Sequence, residues 1–314
     1  MAHTVVATAF GGPEVLSLVE EDLPPVRAGD VRLAVRAAGI NPDDWKVYSG
    51  MMGTDAPLPM RLGYEAAGVV VEAGPDATGP AGPVSVGDEV IAFRIGGGYA
   101  DELVVPATAV VPKPIGMRWE EAGGLMLAGA TAMHALAAAQ ARSGETVLVH
   151  AAAGGVGLMV VQIARARAVR VSATASARNH ARLRALGAEP TAYGVGLADR
   201  VRALAPGGVD AAIDCVGTDE AVDVSLELVV DPGRVVSIAA FGRGDTGIRL
   251  IGGGRGADPG TELRDAARLQ LTRLFEQGHL TVDARAFGLD RAADAHREGR
   301  SGHVSGKLVL VPGA

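Results

Sequence analysis

The sequence predicts an α/β fold, a doubly wound parallel sheet joined to a β-rich domain, and three observations carry that prediction. From Thr146 onward short apolar strand cores alternate with helical stretches. Between the first such strand and the first helix, the run from Ala152 to Gly157 reads A-x-G-x-x-G. Before it lie short extended segments punctuated by Pro, Gly and Asp. A length of 314 residues exceeds one ordinary compact core, so two domains are expected. With 48% hydrophobic and 4% aromatic residues, the composition suits an α/β protein and excludes wholesale disorder.

Taken in order, residues 4–9, 31–38, 68–71, 89–93 and 99–106 read as the strands of the β-rich part. Residues 74–87 hold Pro75, Pro80 and Pro83 among glycines and predict an exposed loop, since Pro cannot serve a central strand. Strands are then expected at 147–151, 170–175, 210–214 and 233–240, with helices at 156–168, 179–186 and 220–229 between them. Such alternation implies parallel strands joined by right-handed helical crossovers. Residues 242–260 predict a flexible glycine-rich connection, residues 261–277 a helix stopped by Gly278, and residues 306–311 a closing strand that returns to the first domain.

The net charge of −7, with Lys and Arg scattered, argues against nucleic acid as a partner. No signal core or membrane span is expected, because the most apolar stretch is interrupted by Gln162 and closed by Arg165; the expectation is a cytoplasmic protein. A single cysteine, Cys215, excludes an internal disulfide or a multi-thiolate zinc site, and the 7 histidines show no metal-ligand spacing. No metal is expected.

A pyrophosphate lying on a helix N-terminus needs bare backbone, which Gly154, Gly155 and Val156 offer, while Gly157 lets strand and helix pack closely. Ala152 replaces the first glycine of the usual fingerprint, so the strand before the run and the helix after it carry the reading. About twenty residues on, an NAD-selective site places a carboxylate on the ribose hydroxyls. Ala175 stands there instead, followed by Ser176 and Arg178, which suit the extra phosphate of NADPH. Tyr193 is a candidate to flank that phosphate, with edge packing the alternative.

Beyond this run, the segments AGINPDDWKVYSG from Ala38, LGYEAAGVV from Leu62, VGDEVIAF from Val86, GGYADELVVPA from Gly97, LAGATAMHAL from Leu127 and GKLVLVP from Gly306 resemble the medium-chain dehydrogenase/reductase superfamily, in its zinc-independent quinone oxidoreductase branch. The resemblance covers nearly the whole chain. It implies a Rossmann-type domain at 120–253 inserted in a GroES-like catalytic domain built from 1–119 and 254–314, an active site in their cleft, and a homodimer through the cofactor domains. Zinc-containing relatives carry a Cys near Asn41 and a His near Tyr64, and this chain has neither.

Without a Lewis acid the plausible reaction is hydride addition from NADPH to a quinone or an α,β-unsaturated carbonyl, where conjugation delivers charge to an oxygen that hydrogen-bond donors can stabilise. Asn41, Tyr64, Tyr48 and Lys46 are the candidate donors. Turn-building by Asn41 and gap-filling by Tyr64 are the structural alternatives. The resemblance further implies Thr131, Cys215, Gly217 and Lys307 at the cofactor; the alternatives are a helix-interior Thr bonded to its own backbone for Thr131, a buried strand-end thiol for Cys215 and a surface position for Lys307. An enoyl or ketone reductase of a secondary pathway, or a non-catalytic NADPH-binding sensor, are the competing functions.

Overall fold

The computed structural model describes residues 1–313, and these divide into two compact units, residues 1–127 with 268–313 and residues 128–267. The divisions fall inside helices, later at both points than the boundaries expected from sequence.

Unit 1 opens with β1 (Ala2–Ala7), β2 (Leu16–Glu21), the long β3 (Asp30–Ile40), α1 (Pro42–Tyr48), β4 (Met60–Arg61) and β5 (Glu65–Ala73). Two further short strands, β6 (Thr78–Gly79) and β7 (Gly82–Pro83), pair as a small hairpin inside the expected loop. Then come β8 (Glu89–Phe93), β9 (Glu102–Pro106), β10 (Val110–Pro112) and α2 (Trp119–Gly123). Helix α3 (Met126–Ala138) leads into unit 2.

Unit 2 contains a six-stranded parallel sheet of order β13-β12-β11-β14-β15-β16. Its strands are β11 (Thr146–His150), β12 (Arg170–Thr174), β13 (Glu189–Thr191), β14 (Ala211–Asp214), β15 (Val235–Ser237) and β16 (Arg249–Leu250). Helices α4 (Gly155–Ala166), α5 (His180–Ala185), α6 (Leu197–Leu204) and α7 (Asp219–Leu228) make the crossovers. The chain order reverses at β11, which pairs with β12 on one side and β14 on the other. In such a sheet that reversal opens a crevice at the strand C-termini where ligands bind. Every residue of β11 is buried, as expected of a strand covered on both faces.

The segment expected to be flexible is held in place. It carries β16 and an Ile251–Asp258 bridge, and Asp258 pairs with the buried His134 of α3 at 3.1 Å. Helix α8 (Thr261–Glu276) then returns the chain to unit 1, where β17 (Ala284–Gly288), α9 (Ala292–Arg300) and β18 (Lys307–Val311) complete it. There β18 pairs antiparallel with β3 and parallel with β17, closing a sheet of order β10-β8-β5-β3-β18-β17 with β9 also on β3. One apolar core runs from Val5 and Leu33 through Tyr48 and Tyr99 to Leu310. No described helix is long and apolar enough to cross a membrane.

Candidate cofactor and substrate sites

In unit 2 the glycine loop leaves β11 through Ala151, whose φ of 52° puts a side-chain-bearing residue in the left-handed region. That turn is held by Thr174: its carbonyl accepts from the Ala152 N–H at 3.0 Å and its Oγ1 from the Ala151 N–H at 3.3 Å. Thr174 is fixed in turn by His150, whose ring bridges Thr174 Oγ1 at 3.3 Å and Ser225 Oγ at 3.1 Å. Burial pulls the His150 ring down to about 4, so it works as a neutral linker.

Gly154 caps α4 with extended backbone, and the first N–H groups of a helix have no partner within it. A methyl group added to Gly154 would touch only the Ala151 carbonyl oxygen, at 3.4 Å. At Gly157 it would lie 2.5 Å from that oxygen and 2.6 Å from Ala152 Cα, so this glycine is required by packing. The loop therefore offers partly exposed backbone at Gly154, Gly155 and Val156 above a tightly packed base at Ala152 and Gly157.

At the end of β12, Ala175 is buried, Ser176 starts a short turn and Arg178 is exposed. Ser176 Oγ accepts from Asn179 Nδ2 at 3.1 Å. Tyr193 is 61% exposed, on a loop after the neighbouring β13. At the end of β14 the fully buried Asp214 accepts from the N–H groups of Val216 and Gly217, both at 2.9 Å, and from Ser237 Oγ at 2.6 Å. This carboxylate folds the Cys215–Gly217 turn back over the strand, and Gly217 adopts φ 79° against Ala239. Desolvation and the Asp214 charge both raise the thiol pKa of Cys215, so it is no nucleophile at neutral pH. Thr131 lies on α3, 5% exposed, with no hydrogen bond to its hydroxyl among the described residues.

Unit 1 gathers a second set. Lys307, expected at the cofactor phosphates or on the surface, is 6% exposed and fully engaged: Nζ donates to Ile40 O at 3.0 Å, Asn41 Oδ1 at 2.5 Å and Glu65 Oε1 at 3.0 Å. An ammonium has three protons, and none is left for a phosphate. Asn41 is likewise committed. Its Nδ2 donates to Gly39 O and Glu65 Oε1, and its Oδ1 faces Lys307, so the amide is a structural tie instead of a substrate donor. Glu65, 0% exposed, completes the cluster by accepting from the Leu127 N–H at 2.9 Å.

Tyr48 also departs from its expected role. It is wholly buried in the core, and its hydroxyl meets His296 Nδ1 at 3.0 Å. Lys46, on α1, is half-buried and lies 4.0 Å from Asp43. Tyr64 keeps a donor to spare: it is half-buried, and its phenol has no hydrogen-bond partner among the described residues. Burial, reinforced by Asp44 and Asp43, pushes that phenol up to about 12 and keeps it protonated.

Comparison with known proteins places this architecture. The chain is 35% identical over 335 residues to quinone oxidoreductase of Pseudomonas aeruginosa, covering 99% of this chain and 100% of that one. It belongs to the medium-chain dehydrogenase/reductase family, in the quinone oxidoreductase-like branch. Residues 27–115 match the alcohol dehydrogenase GroES-like domain and residues 186–310 the zinc-binding dehydrogenase family. Polyketide synthase GfsB of Streptomyces halstedii is 36% identical over 297 residues; the match spans 91% of this chain but 5% of that relative. Among solved structures, mycobacterial Rv1454c complexed with NADPH aligns with TM-score 0.85 and 29% identity, covering 99% of this chain and 100% of that one. CurK enoyl reductase aligns with TM-score 0.86 and 25% identity over 99% of both chains.

Several working residues of this medium-chain dehydrogenase/reductase escaped the sequence reading. His150, Thr174 and Asp214 shape the cofactor-side turns, and their strand-end positions were the available signal. Asp44 is legible in sequence as part of the Asp43–Asp44 pair at a helix start, and its Oδ2 accepts from the Asn41 N–H at 2.8 Å. Nothing local reveals that Asp44 also takes Gly63 N–H and Tyr99 O–H.

Proposed function

We propose that this chain is an NADPH-dependent reductase that delivers hydride to a quinone or an α,β-unsaturated carbonyl without zinc. The observation that carries the reading is the pairing of an accessible backbone loop at Gly154–Val156 with a β12 end that has Ser176 and Arg178 and no carboxylate. The N–H groups at the start of α4 bind the pyrophosphate, and Ser176 with Arg178 takes the adenosine phosphate. Tyr193 flanks that phosphate, Thr131 donates toward the nicotinamide side, and the Asp214-held turn at Cys215–Gly217 presents backbone to the ribose. When bound, NADPH supplies the hydride from its nicotinamide ring.

On the substrate side, Tyr64 donates to the oxygen on which charge develops, and Lys46 adds a positive charge nearby. As the conjugated carbon gains hydride, the substrate oxygen takes the Tyr64 proton, and water returns one to the phenol. A zinc ion does not suit these groups. Zinc needs deprotonated ligands, whereas Tyr64 is held protonated and the Asn41 oxygen already faces the Lys307 ammonium. A homodimer through the cofactor units belongs to the same reading, and light scattering on the purified chain tests it.

The likeness to a polyketide synthase and to an enoyl reductase favours enoyl reduction as the second reading. Loss of NADPH absorbance against a panel of quinones, enones and enoyl thioesters separates the two. Turnover confined to thioesters selects the second, and silence across the panel with tight NADPH binding selects a sensor.

A further inference from the structure

The turn after β12 that carries Ser176 and Arg178 is fastened from within. Asn179 Nδ2 donates to Ser176 Oγ at 3.1 Å, and the Asn179 N–H donates to the Ser176 carbonyl at 2.9 Å. His180, the first residue of α5, closes the turn from its far side, with its Nε2 at 3.0 Å from the Ala175 carbonyl oxygen. Ser176 stands in the N-cap position of the turn, yet its side chain caps no backbone N–H. Among the described residues its hydroxyl meets only the amide of the half-buried Asn179.

A serine hydroxyl has one proton to give and two lone pairs with which to accept, whereas an amide NH2 can only give. Because Asn179 occupies a lone pair, the Ser176 proton points elsewhere, and no described residue accepts it. A phosphate monoester near neutral pH is rich in acceptor oxygens, so the amide leaves Ser176 with the polarity such a group needs. A carboxylate at position 179 would do the reverse, taking the hydroxyl proton and leaving lone pairs toward the phosphate. We propose that Asn179 is a specificity-determining positioning residue for NADPH, which orients the Ser176 hydroxyl as a donor to the adenosine phosphate. This rests on the reading of Ser176 and Arg178 as the site of that phosphate.

The neighbouring loop is held as firmly. β12 pairs with β13, and the Ala175 N–H donates to the Thr191 carbonyl at 3.0 Å, which brings the loop carrying Tyr193 beside the turn. Arg200 of α6 donates to the carbonyls of Ala192, Gly194 and Val195 at 2.9, 3.0 and 2.7 Å, and the Gly194 N–H donates to Glu220 at 3.1 Å. With the backbone fixed on both sides, the freedom left to Ser176 is rotation of its hydroxyl, and Asn179 removes it. A donor set in advance gives up less entropy when the phosphate arrives.

The test is fluorescence titration of the full chain and its variants with NADPH and NADH. The ratio of the two affinities reports on the phosphate, and NADH binding shows in each variant that the fold and the glycine loop are intact. Asn179→Leu keeps the size and removes the donor, and should lower the NADPH-to-NADH affinity ratio about three- to tenfold. Asn179→Asp should lower it about thirtyfold or more, since the carboxylate captures the proton and also repels the phosphate. Ser176→Ala alone should lower it about tenfold, and adding Asn179→Leu to that variant should change it by less than about twofold. An unchanged ratio in Asn179→Leu overturns the proposal. So does a raised one, in which the amide would be taking the serine proton, or an equal loss with and without Ser176. If Ser176→Ala leaves the ratio unchanged, the phosphate reading falls together with the proposal; a loss in Ser176→Ala without one in Asn179→Leu overturns the proposal alone.

Discussion

Gly154 and Gly157 sit in one loop and serve different ends. An extra methyl group at Gly157 runs into backbone atoms that no rotamer change can clear, whereas Gly154 has an ordinary φ of −76° and open space before it. Gly157→Ala should therefore cost about 1–3 kcal/mol in urea unfolding. Gly154→Ala should change stability by less than about 0.5 kcal/mol while weakening NADPH about tenfold or more, because the methyl group intrudes only on the proposed ligand. Undiminished NADPH affinity in Gly154→Ala would remove the pyrophosphate from this loop. Lys307 offers the corresponding test in unit 1. Lys307→Met strands the Glu65 carboxylate at 0% exposure and should cost about 3–5 kcal/mol, with Glu65→Gln in the same chain restoring part of it.

At the scale of elements, strands and helices with a clean apolar pattern were legible. β8 falls on the expected residues, and β11, α4, β12 and α7 within a residue or two. α6, β13 and β17 were not: β13 is short, β17 is partly exposed at the edge of its sheet, and α6 mixes charged and apolar positions, so none supplies a run of apolar residues. The glycine loop could be read because its function is written in adjacent residues. The unit 1 cluster could not, because Lys307 finds Glu65 across 242 positions of sequence, and the K-L-V-L-V run gives no sign that its first side chain turns inward. For the same reason Tyr48 looked like a free donor, although His296 lies 248 positions away. Asp258 and His134 explain the misjudged connection: a polar residue in a glycine-rich segment acquired a buried partner on α3.

Over the whole molecule, buried titratable groups set how stability varies with pH. His150 and His296 fall from 6.5 to about 4 on burial, so the folded state binds their protons less tightly, and stability is lost as pH falls from about 6.5 toward 4. Asp44 acts in the opposite sense. Raised from 3.8 to about 7, it contributes most below its unfolded value, and that contribution is lost as pH rises through about 7. Two histidines outweigh one carboxyl, so calorimetry should show Tm falling between about pH 6.5 and 5, and His296→Gln should flatten that fall. The most direct test of the whole account is fluorescence titration of the purified chain with NADPH and with NADH. Tighter binding of NADPH, with the preference lost in Arg178→Ala, is the predicted result; equal or tighter binding of NADH would contradict it.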